Sequence, residues 1–110
     1  MAHDFAWLSP WYRVTEADTR AGLERQLRLE VSRGHILHGA EVELIARRSD
    51  TDDALFALGD GRVAEVHMTW SRLPERDTRW PVTAVFASLE EWARESMVPL
   101  HRELERDRRS

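Results

Sequence analysis

The chain reads as an α+β fold: a leading helix, an antiparallel meander of three to four strands and a closing helix, with the helices in a single layer on one sheet face. Three observations lead there. Residues 41–71, EVELIARRSDTDDALFALGDGRVAEVHMTWS, alternate in strand fashion around two turns. Thr15 and Ser88 each open a stretch with a capping-box pattern followed by apolar residues at helical spacing. No internal repeat or low-complexity linker interrupts the 110 residues, so one domain accounts for the chain.

Residues 1–14 hold Phe5, Trp7, Leu8, Trp11, Tyr12 and Val14 around Ser9-Pro10, with no sustained period. Aromatics in that density are costly to leave in water, so the segment is expected to lie across the domain and plug its core. Thr15-Glu16-Ala17-Asp18 then starts a helix in which Leu23, Leu27 and Val31 recur at spacing four. Glu24 and Arg28 form an exposed pair, Gly22 weakens the interior, and Gly34 reads as the C-cap. His35 to Gly39 crosses to the first strand.

That strand, Glu41 to Arg48, carries apolar residues on both sides: Val42, Leu44 and Ala46 on one, Ile45 on the other. Ser49 to Asp53 is a turn by composition, because Asp and Ser side chains compete with a ladder for backbone amides. Leu58-Gly59-Asp60-Gly61-Arg62 is the clearer turn, and a three-residue loop at 59–61 places Asp53 opposite His67. In the run Val63 to Ser71, Ala64, Val66, Met68 and Trp70 share the core face, with Val63, Glu65, His67 and Thr69 opposite. After a polar loop, Trp80-Pro81 opens a fourth strand, Val82 to Phe86, with Pro81 where no ladder amide is needed.

Ser88-Leu89-Glu90-Glu91 opens the closing helix, whose stripe runs through Leu89, Trp92, Ala93, Ser96, Met97 and Leu100. Pro99 predicts a kink or break near Val98, and the charged tail Glu105 to Ser110 is expected to fray. With both helices on one face, the other displays Ile45, Val63, His67 and Thr69. It calls for a cover: the N-terminal segment, a second copy, or a partner.

Composition narrows the function. A chain that is 42% hydrophobic and 33% charged folds as a soluble globular protein. No apolar run reaches membrane-span length and Met1-Ala2-His3-Asp4 lacks signal-peptide character, so the expected compartment is the cytoplasm. The absence of cysteine excludes disulfides, thiol nucleophiles and thiolate metal sites. All 16 basic residues are arginine, a coding bias without functional content, and the net charge of −4 argues against a dedicated nucleic-acid binder.

His67 is the most informative single residue, because a carboxylate opposite it at Asp53 could orient the imidazole for acid/base chemistry. A bystander surface histidine is the plainer reading, since no nucleophile or oxyanion donor can be assigned beside it. His35, His38 and His67, with Asp52 or Asp53, have ligand types that suit zinc, but their spacing is not diagnostic. Asp50, Asp52 and Asp53 lack the glycine and terminal glutamate of a calcium loop. No phosphate loop is present. Trp70 and Trp92 have core periodicity. Trp7, Trp11 and Trp80 lie in loops or at an element's start, where Trp beside Arg47, Arg48, Arg72 or Arg79 suits a protein interface.

Gly34-His35 with Leu37 and Gly39, Ala46-Arg47-Arg48 with Asp50 and Asp52-Asp53, Val66-His67-Met68-Thr69-Trp70-Ser71, and Trp80-Pro81 form a pattern. It resembles a family of small uncharacterised bacterial proteins, from the first helix to the second. The resemblance implies no activity, cofactor or partner, and it implies an aromatic residue at the position of His38, which weakens a paired-histidine metal site.

The expectation is therefore a non-enzymatic cytoplasmic binding or interaction domain whose partner is another protein or a second copy of the chain. No cofactor, resident metal, nucleic acid or membrane is expected. The alternative is a small enzyme or metal-dependent protein centred on His67 with Asp53. The candidate functional residues are His35, Arg47, Asp50, Asp53, His67, Trp70 and Trp80.

Overall fold

The structure, a computed structural model, describes residues 5–109. Five strands pair antiparallel in sequence order: β1 (Trp11–Arg13), β2 (Val42–Arg48), β3 (Asp53–Leu58), β4 (Val63–His67) and β5 (Thr83–Phe86). Helix α1 (Ala17–Glu30) joins β1 to β2. After β5 the chain continues as α2 (Leu89–Trp92), a π-helical turn (Ala93–Met97) and α3 (Val98–Arg109). The fold is α+β, with one strand more than the sequence pattern resolves. Three residues at β1 are too few to show a period, and they become a strand by pairing with Ala46–Arg48.

β3 is the central strand, and Ala54, Leu55 and Phe56 are all fully buried. Such a strand needs cover on both faces. On one face Leu23, Leu27 and Val31 pack on Leu44, Ala54, Phe56, Ala64, Val66 and Met68. On the other, Trp11, Trp92 and Met97 pack on Ala46, Leu55 and Val63. The helices thus lie on opposite faces, which corrects the single helical layer. The face left open by the sequence reading is closed by the C-terminal helical segment together with Phe5, Trp7 and Leu8. There Trp11 meets Trp92 edge-on at 5.0 Å, and Trp7 meets Trp92 at 5.8 Å.

Register along β2 changes at one point. Leu44 pairs with Phe56, but Ala46 pairs with Leu55, so Ile45 is an extra residue. This β-bulge exchanges the faces of everything after it. Leu44 faces α1, whereas Ala46, two residues on, faces Trp92. It also turns Arg47 toward the α1 face and Arg48 toward the other.

α1 begins one residue later than the Thr15 cap predicts, with Glu16 in the N-cap position, and ends at Glu30. Val31 is extended, so Gly34 is not the C-cap. A side chain at Gly34 would place its Cβ 2.5 Å from Cγ2 of Thr78, so any larger residue there would force the Thr78 side chain of the β4–β5 loop to move. The Ser88 cap is present: its Oγ accepts the Glu91 N–H at 3.1 Å. Pro99 has no N–H to give to the carbonyl four residues back, and the helix widens before it, the Val98 N–H bonding to the Ala93 carbonyl. α3 then runs through Arg109, past Leu104, where the charge pattern predicts fraying.

β4 stops at His67 rather than Ser71 because a buried carboxylate takes hold of the chain. Glu30 is fully buried. Its Oε1 accepts the Thr69 N–H at 2.9 Å and its Oε2 accepts the Trp70 N–H at 3.0 Å and Gln26 Nε2–H at 2.8 Å. Trp70 takes a left-handed backbone (φ 59°) and leaves the core, 44% exposed. Core periodicity for Trp70 therefore does not hold. Glu30→Ala is expected to cost on the order of 3 kcal/mol in urea unfolding, since two partly buried amides lose a fully buried acceptor.

Candidate functional site

β3 and β4 deliver Asp53 and His67 as direct cross-strand partners. The three-residue loop 59–61 sets this register. Leu58 N–H bonds to the Arg62 carbonyl at 2.8 Å, and Gly61 supplies the positive φ that closes the turn. His67 Nδ1 lies 2.9 Å from Asp53 Oδ1. The carboxylate is largely covered (15% exposed) and the imidazole is half open (49%). Among the described residues nothing hydrogen-bonds His67 Nε2.

Asp53 is itself held. Its Oδ2 accepts Thr51 Oγ1–H at 2.8 Å and Arg48 Nη1–H at 3.3 Å. Arg48 reaches this face only because of the bulge at Ile45. Its Nε–H and Nη2–H donate to the two oxygens of Asp50 at 2.9 and 2.8 Å, a fork-on-fork pair. These bonds raise the Arg48 pKa against the opposing effect of burial, and the charges of Asp50, Asp53 and Glu65 add to the rise. In return the Arg48 bonds hold the Asp50 carboxyl below its ordinary 3.8.

Glu65, two residues before His67 on the same face, is tied to the helix that covers it. Its Oε1 accepts Trp92 Nε1–H at 2.7 Å and Ser96 Oγ–H at 2.6 Å. Arg48, Asp53 and His67 are therefore linked in one row, and Glu65 stands two residues from His67 on the same face of an otherwise apolar layer. Chemically it presents an imidazole whose Nδ1 is oriented by a carboxylate, with Nε2 available to a proton or a ligand.

A second cluster lies on the α1 face. Tyr12 pairs with Arg47 across β1 and β2, and the Arg47 guanidinium lies 5.7 Å from the ring centre of Trp70. Tyr12 and Trp70 are each 44% exposed. Among the described residues Arg47 has no ion-pair partner, and its buried Nε has no acceptor.

The other predicted positions separate. His35 is buried and both its ring nitrogens are engaged: Nδ1 accepts the Leu37 N–H at 2.9 Å and Nε2 lies 2.8 Å from the Pro81 carbonyl. That makes it a structural tie between the α1–β2 connection and the start of β5. His38 is exposed and lines a pocket of about 330 Å³ with Leu27, Arg28 and Leu37. His35, His38 and His67 are not brought together, and among the described residues no group of three or more ligating side chains could hold a metal. Trp80 is exposed beside Pro81, after a turn in which Arg79 holds the Asp77 carboxyl at about 2. The sequence reading names Arg48 only as an interface arginine, not as the anchor of Asp53, and does not single out Glu30. For Arg48 the signal was present, because a strand with apolar residues on both sides is what a bulge produces.

The fold and these clusters define a class: a small α+β protein with a five-stranded antiparallel meander covered on both faces. No family model, no curated protein and no solved structure matches the chain. Among the described residues no helix is long and apolar enough to cross a membrane.

The lowered pKa of Asp50 has a defined pH consequence. A carboxylate whose pKa is depressed by folding stabilises the native state above its unfolded pKa, and that stabilisation is lost as pH falls through the folded value. Arg48→Ala is therefore expected to cost stability at neutral pH, by roughly 0.5–1 kcal/mol for the half-exposed Asp50 bond plus the tie to Asp53. The gap between variant and wild type should narrow below pH 3.8, which urea unfolding over pH 7 to 2 would measure.

Proposed function

We propose that the chain is a non-enzymatic cytoplasmic binding domain whose recognition surface is Trp70, Arg47 and Tyr12 and whose partner is another protein. The observation that carries this reading is Trp70. A non-glycine residue in the left-handed region is strained, more so for a bulky aromatic, and here the strain is held by a buried carboxylate while the indole is turned outward. A core-building use of tryptophan would do the opposite. Trp, Arg and Tyr are also the residues that dominate interface energetics, and an arginine with no ion pair among the described residues, beside two half-exposed rings, suits an acidic or carbonyl-rich segment of a partner.

The test compares tagged wild type, Trp70→Ala and Arg47→Ala as baits in an extract of the source cells. Wild type is expected to retain a defined protein, with recovery reduced about tenfold or more by either substitution, the scale of a central interface anchor. Equal recovery by all three baits would overturn the reading.

A second reading is favoured by one observation, the 2.9 Å contact of His67 Nδ1 with a carboxylate that is itself anchored twice. On that reading the protein is a small enzyme or metal-dependent protein in which Asp53 orients His67 and Nε2 meets the substrate or ion. The neutral ring is expected as the Nδ1–H tautomer, visible in nitrogen-15 NMR, with Asp53→Asn shifting the tautomer balance. If His67→Ala changes no zinc-binding, partner-binding or activity measurement, this second reading falls.

A further inference from the structure

We propose that two copies of the chain associate through their β5 edges, continuing the sheet across a two-fold axis at Ala84. This inference is independent of the Trp70 surface, which lies elsewhere on the molecule.

The backbone of β5 carries the argument. His67 N–H donates to the Val82 carbonyl, and continuing that phase along the ladder turns the amides and carbonyls of Ala84 and Phe86 toward β4. Thr83 and Val85, one step out of phase, therefore direct theirs away from the sheet. Among the described residues no hydrogen bond to either backbone comes from the loops, and β5 is a terminal strand. Two N–H and two C=O groups form a row with no protein partner.

That row is self-complementary. If two copies meet antiparallel with Ala84 opposite Ala84, Thr83 of each faces Val85 of the other. The two N–H and two C=O groups on each strand then all pair, giving four hydrogen bonds with none left over. The residue on the axis belongs to the close, non-bonded pair, where Cα atoms approach to about 4.5 Å, and alanine is small enough to sit there. Ala84 is exposed in the single chain. The same register sets Val82, 51% exposed, beside Phe86 of the other copy on one face. On the opposite face Ile36, which rims a pocket of about 270 Å³ with Val85, adds apolar surface.

The edge is short, at four residues, but it lacks the other usual protections. Exposed edges are commonly blunted by charge, by a bulge or by shortness. Val82 to Phe86 has no charged residue, and its pairing with β4 is regular. The opposite edge, β1, is three residues long and presents Arg13. Two chains of net charge −4 repel least where they meet through an uncharged strip.

Sedimentation velocity on the full chain from about 1 to about 300 µM spans the affinities of small interfaces. A concentration-dependent dimer is expected. Ala84→Lys sets two cations against each other on the axis and is expected to weaken association about tenfold or more. Trp70→Ala should leave it unchanged, so loss of the dimer and loss of the Trp70 surface read out separately. Amide hydrogen exchange on the wild type needs no variant. The Thr83 and Val85 amides should become protected as concentration rises, while the Ala84 amide, turned toward β4, is protected throughout. A monomer across the whole range would overturn the proposal, as would a dimer whose formation leaves the Thr83 and Val85 amides unprotected.

Discussion

The pairing of β2 with β3, offset by one residue at Ile45, is the constraint on which the rest depends. Strand side chains alternate with a period of two, so one inserted residue moves every later side chain to the other face. Up to Leu44, β2 serves the layer under α1. Beyond Ile45 it supplies Ala46 to the tryptophan layer and Arg48 to Asp53. Tyr12 and Trp11 inherit their faces from the same offset through their pairing with Arg47 and Arg48. Both candidate surfaces are assembled on that short segment.

Two carboxylates fix the covering layers onto the sheet. Glu30 ends α1 and receives the amides of Thr69 and Trp70, which joins the helix to the segment leaving β4. Glu65 stands on the sheet and receives Trp92 and Ser96, which joins the C-terminal helical segment to β4. Apolar contacts tolerate sliding, whereas a carboxylate withdrawn from water is stable only with its donors in place. The π turn ahead of Pro99 follows Trp92 and contains Ser96. Trp92 and Ser96 both reach the same oxygen despite the loss of a regular helical bond.

The polar row of Arg48, Asp53 and His67 and the cluster of Tyr12, Arg47 and Trp70 occupy opposite faces near one end of the sheet. They differ in what holds them. His67 is positioned by strand pairing and a chain of charge-assisted hydrogen bonds, a rigid arrangement that favours one geometry. Trp70 is positioned by backbone strain balanced against a buried acceptor, an arrangement that places an apolar ring in water. The β5 edge is a third feature, made by backbone alone and indifferent to either cluster.

By itself the sequence determined the α+β class, the hairpin at Gly59 to Gly61 and the meeting of Asp53 with His67, the Ser88 helix start and a helical irregularity just ahead of Pro99, which is a widened turn rather than a break. Each rests on neighbours a few residues apart, where turn geometry, capping and the loss of an N–H act locally. The tertiary structure decided which face each helix covers, and it overturned the single layer. It also decided that Trp70 leaves the core and that His35 is a buried tie rather than a ligand. These outcomes depend on groups distant in the chain: Glu30 closing on Trp70, Pro81 on His35, Trp92 on Glu65. The fully apolar run from Ala54 to Leu58 was the local sign that both faces would be covered. Periodicity alone could not say by what, because the partners of β3 are chosen by packing across the whole domain.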